Sequence, residues 1–165
     1  MSDIEKIEKA LDFYHIQYRN LGLRKLTLSD LYSLHPENNE TFRCKLQWPD
    51  KWPDVEKPGV YIVLGQDKKI LYIGKASLNN TIGNRLGAHF RYAKDGSKTC
   101  EAVGGTLWSQ PPFYVMTIGV DKAFEAPSLE EYLIDLIRRP DNIMGQNRIC
   151  QEEGLELMTK LKQEE

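Results

Sequence analysis

The chain has 165 residues, 22 basic against 24 acidic, for a net charge of −2; 41% of residues are apolar and 28% charged. That composition fits one globular domain with an extension and excludes collagen-like, mucin-like and wholly disordered classes. Read alone, the near-neutral charge argues against a histone-like or tail-driven nucleic-acid binder. Residues 3–18 come first and read as a helix. Ile4, Ile7, Leu11, Phe13, Tyr14 and Tyr18 recur near the 3.6 period, and Ser2 or Asp3 can cap it. Thr27 to Leu31 looks like a second, short helical start. Residues 35–58, with Pro36, Pro49, Pro53, Pro58 and the Asn38-Asn39 pair, read as an irregular arm. Trp48 and Trp52 are expected to anchor it, since such large rings gain most when buried.

From Gly59 the pattern changes. Val60 to Leu64 and Ile70 to Ile73 are apolar runs joined by the polar turn 65–69, and they predict a β-hairpin whose second strand ends at Gly74. Residues 80–93 follow as a helix with Ile82, Leu86, Phe90 and Ala93 on one side. The polar, Gly-rich stretch 94–111 reads as a loop, either a nucleic-acid contact or a surface excursion. Phe113 to Ile118 is a third strand. Ser128 caps a helix over 128–138, and Pro140 stops it. Residues 151–163 form a final amphipathic helix; the stretch 151–165 has five Glu against two Lys.

No stretch approaches the ~18–20 apolar residues of a membrane span, and the N-terminus lacks the apolar core of a signal peptide. Cys44, Cys100 and Cys150 are odd in number and widely spaced. They predict reduced thiols in a cytoplasmic protein, without a structural zinc site.

One ordered set of residues carries chemistry. Gly59-Val60-Tyr61 and Tyr72-Ile73-Gly74 lie on the two strands of the hairpin. Arg85 and His89 follow, four apart on one helix face. Then come Ser128-Leu129-Glu130-Glu131-Tyr132-Leu133-Ile134, Pro140, and an asparagine at 142 or 147. Over residues 57–148 this order resembles the GIY-YIG nuclease family, with Val60 for the usual Ile, a neutral exchange. The resemblance implies an α/β (α+β) fold with a small three-stranded antiparallel sheet flanked by helices. The organisation expected is a 1–57 helix and arm, a 58–148 nuclease-like domain and a 149–165 helix.

The resemblance also implies a metal-dependent DNA endonuclease. Phosphodiester hydrolysis needs an activated water, charge relief on the phosphoryl oxygens and help for the leaving oxygen. Tyr61 is the expected base and Tyr72 positions water or phosphate. Lys75 offers a cation that lowers the tyrosine pKa. His89 is either the base or the group that holds Tyr61. Arg85 presents a fork of donors to the scissile phosphate. Glu130 is the expected ligand of Mg2+ or Mn2+, since a hard ion accepts one carboxylate and keeps most of its waters. Asn142 or Asn147 is expected to position substrate. Ser77 and Asn84 read as ordinary surface positions.

The alternative is a non-catalytic nucleic-acid-binding or protein-interaction module on the same scaffold, which would have no need of Glu130. The chain shows no zinc finger and no helix-turn-helix. Specificity for DNA therefore calls for a homodimer, a partner protein, readout by the arm or a structured substrate. The termini, with Trp48 and Trp52, are the expected dimer surface. Residues 75–98 hold Lys75, Arg85, Arg91, Lys94 and Lys98 against Asp95 alone, so a phosphate-binding face is compatible with the overall −2.

Overall fold

Ser2 and Glu5 set the first element. The Ser2 hydroxyl accepts from the Glu5 amide and the Glu5 carboxylate accepts from the Ser2 amide, a reciprocal cap that starts helix α1 (Asp3–Tyr18). The computed structural model describes residues 1–38, 44–104, 106–137 and 141–142. The predicted C-terminal helix, Pro140, Asn147 and Cys150 lie outside the described residues. α1 buries Ile7, Leu11 and Tyr14 of the predicted stripe together with Ala10, whereas Ile4 and Phe13 are half-buried and Tyr18 is exposed.

Residues 27–31 are not helical, contrary to expectation. The Ser29 amide donates to the Thr117 carbonyl, and the Ser29 hydroxyl accepts from the Thr117 amide. Pairing with a distant strand replaces the local helical turn, a competition to which serine is prone. The chain then enters β1 (Tyr32–Ser33) and, within the arm, β2 (Leu46–Gln47).

The central hairpin is β3 (Gly59–Leu64) and β4 (Ile70–Ala76), followed by α2 (Ile82–His89), β5 (Phe90–Tyr92), β6 (Cys100–Ala102), β7 (Tyr114–Gly119) and α3 (Glu125–Ile137). The main sheet has five strands in the order β2-β1-β7-β3-β4. Its centre, β7-β3-β4, is the expected three-stranded antiparallel unit. β1 adds antiparallel to β7, and β2 adds parallel to β1, so the whole sheet is mixed. The two added strands are two residues each, too short to show any period in the sequence.

Three further boundaries differ from expectation. β4 continues through Gly74 to Ala76, because Gly74 pairs with Tyr61 in the ladder. The predicted 80–93 helix ends at His89: Phe90 is extended, and β5 pairs with β6 inside the stretch expected to be a loop. Phe90 stays on the apolar side after the conformation changes, so the helical spacing Ile82, Leu86, Phe90 concealed the switch. α3 begins at Glu125, and Ser128 stands inside it. The Ser128 hydroxyl donates back to the Glu125 carbonyl instead of capping, and it also bonds the Tyr14 hydroxyl at 2.9 Å.

β3 is buried along its whole length because both faces of the sheet are covered. Val60, Ile62 and Leu64 point into a core with α1 and α3. Tyr61 and Val63 point the other way, into a core with Tyr32, Leu34, Ile82, Leu86 and Phe90. The arm closes this second core: Trp52 packs on Tyr32 and Phe90, and Trp48 packs on Trp52 and Tyr92. The first 57 residues thus supply two strands of the sheet and part of both cores. Among the described residues no helix is long and apolar enough to cross a membrane.

Candidate active site

The site begins with a missing side chain. Gly74 stands opposite Tyr61 in the β3–β4 ladder, and a Cβ there would lie 2.5 Å from the Tyr61 ring and hydroxyl and 2.6 Å from the Tyr72 ring. Glycine therefore lets the Tyr61 ring cross β4 at close range. Tyr72, paired with Val63, shares that face, and the two tyrosine rings are 6.1 Å apart. Gly59, in the first half-motif, is needed for a different approach: a Cβ there would meet the Ile118 carbonyl oxygen at 2.1 Å.

The Tyr61 hydroxyl bonds His89 Nε2 at 2.9 Å in a buried setting. His89 is the last residue of α2, and its ring packs on Tyr61, Tyr72 and Trp108. Its Nδ1 lies 3.5 Å from Thr106 Oγ1. Burial, reinforced by the Arg85 charge, lowers the His89 pKa, so the imidazole is neutral at neutral pH. With its proton on Nδ1, Nε2 accepts the proton of Tyr61. Burial also pushes the Tyr61 phenol well above its ordinary value; neighbouring Tyr72 adds to the rise and Arg85 opposes it. Tyr61 is protonated in this setting.

Arg85 lies one turn before His89, on a helix started by the Thr81 hydroxyl, which accepts from the Asn84 amide. Its Nε is buried and, among the described residues, has no hydrogen-bond partner. Among the described residues no carboxylate pairs with it. A buried guanidinium donor without a partner is costly unless an anion completes it.

Lys75 and Glu130 form a separate group. Three residues after Tyr72 on an extended strand, Lys75 points to the opposite face of the sheet. There its Nζ pairs with Glu130 Oε2 of α3. The cation that acts on Tyr61 is therefore Arg85, and Lys75 is engaged by Glu130. Glu130 is largely buried while Glu131 is exposed, which singles out the former. β4 is the outermost strand on its side of the sheet, so the groups on its two faces flank one edge.

Asn142 closes that edge. Its Nδ2 donates to the Ile73 carbonyl at 2.7 Å and its Oδ1 accepts from the Ile73 amide at 2.8 Å, so it pairs with β4 as a neighbouring strand would. Ile73 lies between Tyr72 and Gly74, and Asn142 thereby holds the strand that carries them. Asn147 lies outside the described residues.

Two contributors escaped the sequence reading. Trp108 meets Tyr72 and His89 edge to face and stacks on Phe90 at 6.1 Å. Asp141 accepts from the Ser109 amide and hydroxyl, next to that tryptophan. A lone tryptophan in a polar stretch was the available signal for the first; nothing local marked the second.

No group of three or more His, Cys, Asp or Glu side chains suited to a metal occurs among the described residues. Glu130 offers one hard carboxylate, already attractive to a cation, as its Lys75 partner shows. This donor fits an ion that retains most of its waters, and it does not fit a fully protein-ligated metal. The GIY-YIG catalytic domain family model matches residues 57–147. No curated protein and no solved structure matches the chain.

Proposed function

We propose, from the premise that this chain belongs to the GIY-YIG family, that it is a divalent-metal-dependent DNA endonuclease in which Tyr61 and His89 relay a proton from the attacking water. The observation that carries this reading is the buried Tyr61–His89 hydrogen bond beside an Arg85 Nε that lacks a partner among the described residues.

Arg85 binds the scissile phosphate through Nε and its terminal nitrogens, which pays for its own desolvation. Water attacks phosphorus and gives a proton to the Tyr61 oxygen as Tyr61 passes its own proton to His89 Nε2; the P–O bond to one sugar oxygen breaks, and that oxygen leaves and takes a proton from solvent. Free phenolate never forms, which answers the high pKa of a buried Tyr61. Tyr72, on the same face, orients the water or a phosphoryl oxygen. Glu130 would hold Mg2+ or Mn2+, which when bound supplies charge relief at the phosphoryl and leaving oxygens. Lys75 keeps the Glu130 carboxylate oriented. Asn142 keeps β4 in register beneath Tyr72. DNA lying along the β4 edge would meet both faces of that strand.

The Lys75–Glu130 pair also supports a second reading. A carboxylate neutralised by an ammonium needs no metal, as in a non-catalytic binding module. Incubation with supercoiled plasmid decides between the two. Nicking is expected with Mg2+ or Mn2+, none with EDTA, and a fall of about 100-fold or more for Arg85→Ala and Glu130→Ala. No nicking by the wild type in either metal would overturn the nuclease reading; nicking that survives both substitutions would overturn the assigned residues.

A further inference from the structure

Leu107 and Trp108 form a feature that hydrolysis does not use. Leu107 is 87% exposed. A single exposed leucine is unremarkable on most surfaces, but this one is held on both sides. Thr106, just before it, contacts His89, and Ser109, just after Trp108, is tied to Asp141. The stretch therefore presents an apolar side chain to water between two residues that contact the rest of the fold. Trp108 is half-buried, and among the described residues only Phe90 stacks on it. The Trp108 ring adjoins the rings of Tyr72 and His89, at the end of the helix that carries Arg85, and Leu107 precedes it in the chain.

The charge on β5, whose Phe90 stacks on Trp108, and on the turn after it suits nucleic acid. Arg91, Lys94 and Lys98 are exposed on β5 and the turn that follows it. Lys98 is fixed to the arm by its carbonyl, which accepts from the Trp48 indole at 3.0 Å. Cations serve phosphates, whereas an indole and an aliphatic tip serve the face of a base. A base inside an intact stack offers no free face, so the complementary ligand is an unstacked one.

We infer that Leu107 and Trp108 form a subsite for an unstacked DNA base next to the scissile phosphate, with Leu107 as the wedge and Trp108 as the stacking platform. The inference rests on the nuclease reading for its substrate class and deepens it: the preferred DNA contains an unpaired nucleotide beside the cleaved bond.

The test uses the full chain in EDTA with two short duplexes of one sequence, in which a 2-aminopurine is either paired or unpaired. The unpaired probe is expected to bind about tenfold more tightly, with its fluorescence quenched on binding. Leu107→Ser and Trp108→Leu should each bring that ratio towards one, and Leu107→Ser should leave affinity for the paired duplex in place, since the Arg and Lys contacts set it. Leu107 is so exposed that Leu107→Ser folds as the wild type does, which guards against a misfolded Trp108→Leu. Equal affinity for the two probes, absence of quenching, failure to bind either probe, or a preference that survives both substitutions overturns the inference. Because the assay contains no metal, it is independent of catalysis. A chain that stacks the probe and nicks no plasmid keeps the subsite and loses the nuclease reading; one that nicks plasmid without this preference does the reverse.

Discussion

Tyr61 keeps its proton in the folded protein, and the bond to His89 gives that proton a destination. Tyr61→Phe retains the ring that fills the gap at Gly74 and removes only the hydroxyl of the proposed relay. It should fold normally and lose about 100- to 10,000-fold in kcat, read from single-turnover cleavage. An active Tyr61→Phe would end the relay mechanism. The pH dependence follows from His89. Its folded pKa is lowered from 6.5 by burial and then by Arg85, so the neutral, proton-accepting form persists below that value. Activity should hold as pH falls through about 6.5 and decline only at more acidic pH. Stability shares the sign. The contribution of neutral His89 is complete above about 6.5 and is lost as pH falls through the lowered folded value, because the unfolded chain binds the proton first. Thermal midpoints of the wild type and His89→Gln, compared between pH 5 and pH 7, would show it as a slope the variant lacks. The juxtaposition of Tyr61, Arg85 and His89 was legible in the sequence because order and spacing carry it. Trp108 was not, since its partners lie on β4, α2 and β5, and none of them shares its local pattern.

β4 shows how one boundary propagates into chemistry. A strand ending at Gly74 leaves Lys75 free to face the tyrosines. A strand that continues to Ala76 forces Lys75 onto the α3 side, because alternate residues face opposite ways. The error was one of element length, not of residue type. Asn142 gives the matching prediction at this scale. Asn142→Ala leaves the Ile73 amide and carbonyl without their side-chain partners, at a cost of about 2 kcal/mol or more. Faster hydrogen exchange at Ile73 and a lower thermal midpoint would report it; unchanged protection would mean that another group pairs this edge. α1 and β3 were legible almost to the residue, since a long helical stripe and a β-branched run each carry a strong period. β1, β2, β5 and β6, of two or three residues each, offer no period to read, and only their distant partners define them.

The whole molecule is more unified than its sequence suggests. The stretch that matches the family model begins at residue 57, yet Ile7, Leu11 and Tyr14 are buried against α3 and β3, and Tyr32 is fully buried in the other core. Each such side chain contributes about 1.5–3 kcal/mol, and together they rival the whole stability of a typical domain, about 5–15 kcal/mol. A chain starting at residue 57 should therefore lack cooperative unfolding by near-ultraviolet circular dichroism, where the full chain shows it; a cooperative transition in the shortened chain would refute this. The pairing of β1 with β7 also sets a schedule for synthesis. Tyr32 and Ser33 leave the ribosome about 80 residues ahead of Tyr114 and Val115, the strand they must join. At about 5–20 residues per second that is an interval of roughly 4–16 s. During it the Trp48 and Trp52 rings and the apolar stripe of α1 have no finished sheet to cover, so a nascent chain stalled before residue 114 should be a chaperone client, whereas one released with α3 complete, past residue 137, should not.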